Sequence, residues 1–100
     1  MKYSPWSETR RVRILRLWEA IALDSLDSSS DEIPFPRAKE IARHVLDHPS
    51  TATMYDYFAD MADSKWVEYD SVVLRLLKIP TQLQERFAKQ KQRVEAIVGK

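Results

Sequence analysis

Apolar residues in the middle of the chain fall at helical spacing twice in quick succession. Ala38, Ile41, Ala42 and Val45 form one stripe and Met54, Phe58, Met61 and Ala62 a second, which predicts two short amphipathic helices. Between them "LDHPST" is a tight turn, with Asp47 or His48 suited to a left-handed position and Ser50 as the natural N-cap of the second helix. That helix should run to about Ser64. The next segment, 66–79, is rich in Val, Tyr and Leu and predicts two strands with "YDSV" at the hairpin tip.

Upstream, Ser4 followed by Pro5 is a helix-start signal, and Ile14, Leu17, Trp18 and Ile21 line one face of a first helix expected over residues 5–23. The acidic, serine-rich segment 24–32 has no helical period and predicts a loop. Residues 33–35 then fit a short strand, and Pro36 opens the next helix. Downstream, Pro80 ends the last strand, and Thr81 with Gln84 fits a capping box for a final helix. Leu83, Phe87, Gln90, Val94 and Ile97 are spaced 4, 3, 4 and 3, a heptad seam. A helix of ~20 residues spans about 30 Å, more than so small a body can cover. The seam is therefore expected to meet a second copy of the chain, with Gln90 as a polar register position.

The stretch 37–67, "RAKEIARHVLDHPSTATMYDYFADMADSKWV", resembles the winged helix-turn-helix DNA-binding domains of small prokaryotic, plasmid and phage regulators. Their usual pattern runs A-x-E-I-A, then S-x-x-T-V-x-x-x-L-x-x-L-x-x-x-G-L-V. Ala38, Glu40, Ile41 and Ala42 match its first half, and Ser50, Thr53, Met54, Phe58, Met61, Trp66 and Val67 its second. The resemblance implies a mainly α fold with a small antiparallel β-wing, here a short one. The expected organisation is one domain over 1–100, with a winged-helix core at 1–79 and a C-terminal dimerisation helix at 80–100. Lys65 stands where the family usually has glycine, and the chain's one glycine is Gly99. Its turns must be built without that permissive residue.

A chain of 100 residues with 44% apolar content supports one core. Sixteen basic against 15 acidic residues leave a net charge of +1, so the total does not announce a nucleic-acid partner. The distribution is less even: both ends are basic and the middle is acidic. The helix 1 arginines Arg10, Arg13 and Arg16 have two readings, a second basic surface or the wet side of an amphipathic helix. With no cysteine, no signal-peptide core and no 18-residue apolar run, an intracellular, cytoplasmic protein without a membrane or disulfide framework is expected.

The outward side of the helix capped by Ser50, helix 3 in chain order, should present Ala52, Thr53, Asp56, Ala59, Asp60 and Asp63, an acidic face where related regulators carry donors. Support for DNA then falls to the rim. Ser50, Thr51, Thr53 and Tyr55 supply hydroxyls at the start of helix 3, Asp56 could accept from a cytosine amino group, and Arg37, Lys39, Arg43, Lys65 and Arg75 could flank them on phosphates. His44 and His48 stand at i, i+4 but lack a third convergent ligand. No nucleophile elbow, phosphate-cradling glycine loop or apolar carboxylate pair is present, so neither an enzyme, a metal site nor a cofactor is expected. The expected function is a homodimeric, sequence-specific binder of double-stranded DNA, acting in transcription regulation or in plasmid or phage partition or replication. The competing expectation is a protein-interaction module or complex subunit working through the acidic helix 3 face.

Overall fold

The computed structural model describes residues 8–98, with side chains over 9–89. The elements follow the order α1 (Glu8–Asp27), β1 (Glu32–Pro34), α2 (Phe35–Val45), α3 (Thr51–Asp63), β2 (Val67–Tyr69), β3 (Val73–Leu76) and α4 (Thr81–Val98). The chain is mainly helical with one small antiparallel sheet. In that sheet β3 lies between β1 and β2, pairing Ile33 with Leu74 and Val67 with Leu76. Strand alternation turns Ile33, Leu74, Val67 and Leu76 inward and Glu32, Arg75 and Glu68 outward.

One core gathers these strands and three helical stripes. Ile14, Leu17 and Ile21 of α1, Ala38 and Ala42 of α2, and Met54, Tyr57, Phe58 and Met61 of α3 are all buried in it. Ile41, Val45, Trp18 and Trp66 pack on its edge, half-buried. Phe58 is fully enclosed, and the Phe35 ring sits 5.2 Å from it. Trp18 stacks on Trp66 with centroids 4.2 Å apart and donates from Nε1 to the Lys78 carbonyl at 3.1 Å. That pair fixes α1 against both ends of the hairpin.

The helix ends show how the chain turns without glycine. Ser29, Asp47, His48 and Lys65 all have positive φ, between 56 and 65°. At the ends of α1, α2 and α3 a backbone N–H closes onto a carbonyl five residues back: Ser30 onto Ser25, His48 onto Arg43, and Trp66 onto Met61. This is the closure that glycine usually serves, held here by polar residues at a conformational cost.

Four local expectations need correction. Helix α1 continues one turn past Leu23 to Asp27, because its end closure satisfies the carbonyls of the acidic segment. Its start, expected near Pro5, lies outside the described residues. Strand β1 ends at Pro34, and Phe35 rather than Pro36 opens α2. The capping box at Thr81 does not form as expected: Thr81 is already helical, and the Gln84 amide donates to the Ile79 carbonyl at 3.3 Å. Finally, the boundary drawn at residue 80 cuts through packed structure. Leu83 is buried in the chain's own core, which removes it from a seam free to meet a second copy, while Phe87 packs against that core half-buried. The side chains of Gln90, Val94 and Ile97 lie outside the described residues.

Candidate nucleic-acid interface

The start of α3 is built by its cap. Ser50 takes an extended backbone conformation, φ −65° and ψ 160°, and its Oγ accepts from the Thr53 N–H at 3.1 Å. The same hydroxyl donates to Thr53 Oγ1 at 2.9 Å, so two of the predicted contact groups are tied to each other. Thr51, Ala52, Thr53, Asp56, Ala59 and Asp63 are exposed along one side of the helix. Tyr55 stands at the edge, 37% exposed, its ring 5.9 Å from Phe35 and 6.4 Å from Phe58. Phe35 in turn stacks on Tyr69 of β2 at 5.3 Å and 9°. Burial, and then the neighbouring Tyr55 and Asp63, hold the Tyr69 phenol above its ordinary pKa.

Asp60 does not belong to the open face. It accepts from Arg10 of α1, with Nε 3.1 Å from Oδ2, and the Arg10 guanidinium carbon lies 4.4 Å from the Tyr57 ring centroid. The α3 face is thus less acidic than the sequence implies, with Asp56 and Asp63 as its remaining exposed carboxylates. Tyr57, i+3 from Met54 and four before Met61, adds a buried ring to the same inward stripe, which the apolar spacing of Met54, Phe58 and Met61 alone does not announce.

The five flanking cations divide sharply. Arg37 is engaged by Asp24 at 2.9 Å and Glu40 at 3.4 Å, and its hydrogen bond to Asp24 raises its pKa. Arg75 is gripped from both neighbouring strands, by Glu32 at 2.8 Å and Glu68 at 3.4 Å, and the Glu32 bond likewise raises its pKa. The surface around Arg75, a shallow depression lined also by Tyr69, Asp70 and Val73, carries more acid than base. Neither arginine is poised as an open phosphate clamp. Lys39 is half-buried, its Nζ 5.5 Å from the Phe35 centroid. Arg43 and Lys65 are exposed, and neither has an acidic side chain within ion-pair distance among the described residues. Arg43 sits in the last turn of α2, just ahead of the turn that delivers Ser50. Lys65 lies beyond the other end of α3, about 20 Å away along a helix of this length.

Thr51, Thr53 and Tyr55 are thus open on the first turns of α3, with Arg43 open at the end of the preceding helix and Lys65 beyond the far end of α3. His44 and His48 are exposed at the end of α2 and in the turn after it. Among the described residues no helix is long and apolar enough to cross a membrane. No known protein family, curated protein or solved structure matches this chain.

Proposed function

We propose that the chain is a homodimeric DNA-binding protein of the winged helix-turn-helix kind, which offers the first turns of α3 to the major groove. One observation supports this above the rest. Thr51, Thr53 and Tyr55 are exposed at a capped helix start, and the exposed, unengaged Arg43 closes the helix just before it, within the order helix, strand, helix, helix, hairpin. Hydroxyls and helix-start N–H groups suit phosphate oxygens, and Tyr55 and Asp56 one turn further in suit base edges. The hairpin contributes little, because Glu32 and Glu68 already neutralise Arg75 and would repel phosphate.

Fluorescence anisotropy with a pool of duplexes at low salt tests the reading. Binding that falls steeply with salt is expected, each phosphate contact contributing roughly 0.9 to the slope of log K against log salt. Asp56→Lys should strengthen non-specific binding if α3 lies against the backbone; Asp60, engaged by Arg10, is unsuited to that swap. No binding, with no gain in the Asp56 variant, would overturn the reading.

A second reading, a protein-interaction module, is favoured by the outward sheet face, where Glu32, Glu68 and Asp70 surround a neutralised Arg75. A basic partner would suit that face, and Glu68→Lys would then abolish capture of the partner without weakening duplex binding.

A further inference from the structure

We infer that the outward stripe of α1 is a self-pairing surface on which α1 of a second copy lies antiparallel. The inference rests on the dimeric part of the reading above and names the surface responsible.

Val12 and Leu15 are 45% and 42% exposed on α1, among the largest apolar exposures in the described chain. Further along the helix, Ala20 and Leu23 are half-buried and line a shallow groove with Ile41 and Val45 of α2. At 100° per residue, Val12, Arg16, Glu19 and Leu23 fall within about 60° of one another on the helix surface. Their order is apolar, base, acid, apolar, and their spacing of 4, 3 and 4 is symmetric about the midpoint between residues 17 and 18.

That symmetry has a geometric consequence. A second α1 laid antiparallel about a two-fold axis at the midpoint sets Val12 opposite Leu23 of the second copy and Arg16 opposite its Glu19, and the axis repeats both pairs. Val12 of each copy then faces the groove lined by Leu23, Ile41 and Val45 of the other. A parallel arrangement would set Arg16 beside Arg16 instead.

The charges are available for this. Arg16 is exposed and has no acidic side chain within ion-pair distance among the described residues, although Glu19 lies one turn away on its own helix. Glu19 is half-buried, and the contact it makes is with the neutral side-chain amide of Gln82 at the start of α4. That bond fixes the carboxylate without neutralising it. The occupant that matches base, acid and both apolar positions in register is therefore this same helix reversed.

Sedimentation velocity on the full chain at tens of micromolar tests the pairing, with circular dichroism verifying that each variant is folded. A dimer is expected. Arg16→Glu alone and Glu19→Arg alone should each weaken it about tenfold or more, since like charges then face across the axis, and the two changes together should restore it. A wild-type dimer indifferent to either reversal would overturn the α1 pairing while leaving a dimer formed elsewhere. Weakening without rescue by the double change would overturn it as well. A monomeric wild type would remove both the pairing and the dimeric part of the function, with duplex binding judged separately by anisotropy. Because the chain has no cysteine, Val12→Cys combined with Leu23→Cys gives a readout that does not depend on the charge variants. Disulfide-linked dimers are expected under mild oxidation, and their absence would sink the antiparallel register.

Discussion

Arg10 of α1 and Asp60 of α3, fifty positions apart, are joined across the helix packing, with Arg10 Nε 3.1 Å from Asp60 Oδ2. Their side chains are 30% and 27% exposed, and the guanidinium also covers Tyr57. A pair this sheltered, with a ring beneath it, should exceed the median surface ion pair. Asp60→Ala is expected to cost about 1 kcal/mol, whereas Asp56→Ala, on the open side of the same helix, should stay within about 0.5 kcal/mol of wild type. Urea unfolding compares them, and equal losses would mean that the Arg10 contact contributes nothing.

The stacked pair of Trp18 and Trp66 ties α1 to the segment entering the hairpin, and the Trp18 Nε1 bond to Lys78 ties it to the segment leaving. Trp18→Ala should cost about 2 to 3 kcal/mol, less than a fully buried ring would because Trp18 is half-buried. Trp18→Phe keeps a ring in place but loses the donor, at about 1 kcal/mol. Near-ultraviolet circular dichroism should lose the coupled indole signal in both. A signal that survives in either would place the two rings apart.

Lys65 carries a left-handed backbone, φ 65°, while Trp66 N–H closes onto the Met61 carbonyl at 2.9 Å. Glycine takes that conformation without a Cβ clash, so Lys65→Gly should stabilise the fold by about 1 kcal/mol. The same change removes an exposed cation from the flank of α3. Thermal melts should therefore rise while duplex affinity falls or holds. A lower melting temperature would show that Lys65 makes a compensating contact.

Much of this backbone logic could be read from the residues themselves. Asp47, His48 and Lys65 announce left-handed turns because nothing else stands where glycine would, Ser50 announces its cap, and the stripe Met54, Phe58, Met61 fixes the inward side of α3. What the sequence hid was long-range partnership. Arg37 and Arg75 look like open cations in any linear reading, and only the closeness of α1 to α2 and the order β1-β3-β2 bring Asp24, Glu32 and Glu68 to them. Leu83 looked like part of an intermolecular seam for a similar reason. Heptad spacing describes a stripe, and the bend at Leu77 and Lys78 ahead of α4 helps decide how much of that stripe turns back onto its own core.

Asp70 makes the hairpin tip sensitive to acid. Its Oδ1 accepts from the N–H groups of Val72 at 2.7 Å and Val73 at 2.9 Å, and the Val73 and then the Val72 bond hold its pKa below the ordinary 3.8. Because the folded pKa is the lower one, the unfolded chain takes up the proton first. The stabilisation is complete above the ordinary value and is lost as pH falls through the lowered one. In an NMR titration the Val72 and Val73 amides should shift together with a midpoint below 3.8. A midpoint at or above that value would mean the carboxylate is not held, and Asp70→Ala should abolish the shared titration.

Arg43 and Arg75 separate a working cation from a structural one. Both are exposed arginines, but Arg75 is held by Glu32 and Glu68 on the sheet, while Arg43 has no acid within reach among the described residues and sits just before the turn that positions Ser50. A guanidinium already paired twice releases no counterion from DNA, so Arg75→Ala should leave affinity and salt slope unchanged while loosening the outward face of the sheet. Arg43→Ala should weaken all duplexes alike and reduce the salt slope by about 0.9, the signature of one lost phosphate contact. Thr53→Val tests the neighbouring group differently. It should change preference among sequences more than overall affinity, because the helix start reads as well as holds. Anisotropy at several salt concentrations measures all three. Equal effects from Arg43 and Arg75 would remove the distinction on which the proposed duplex surface depends, and a larger effect from Arg75 would move that surface to the hairpin.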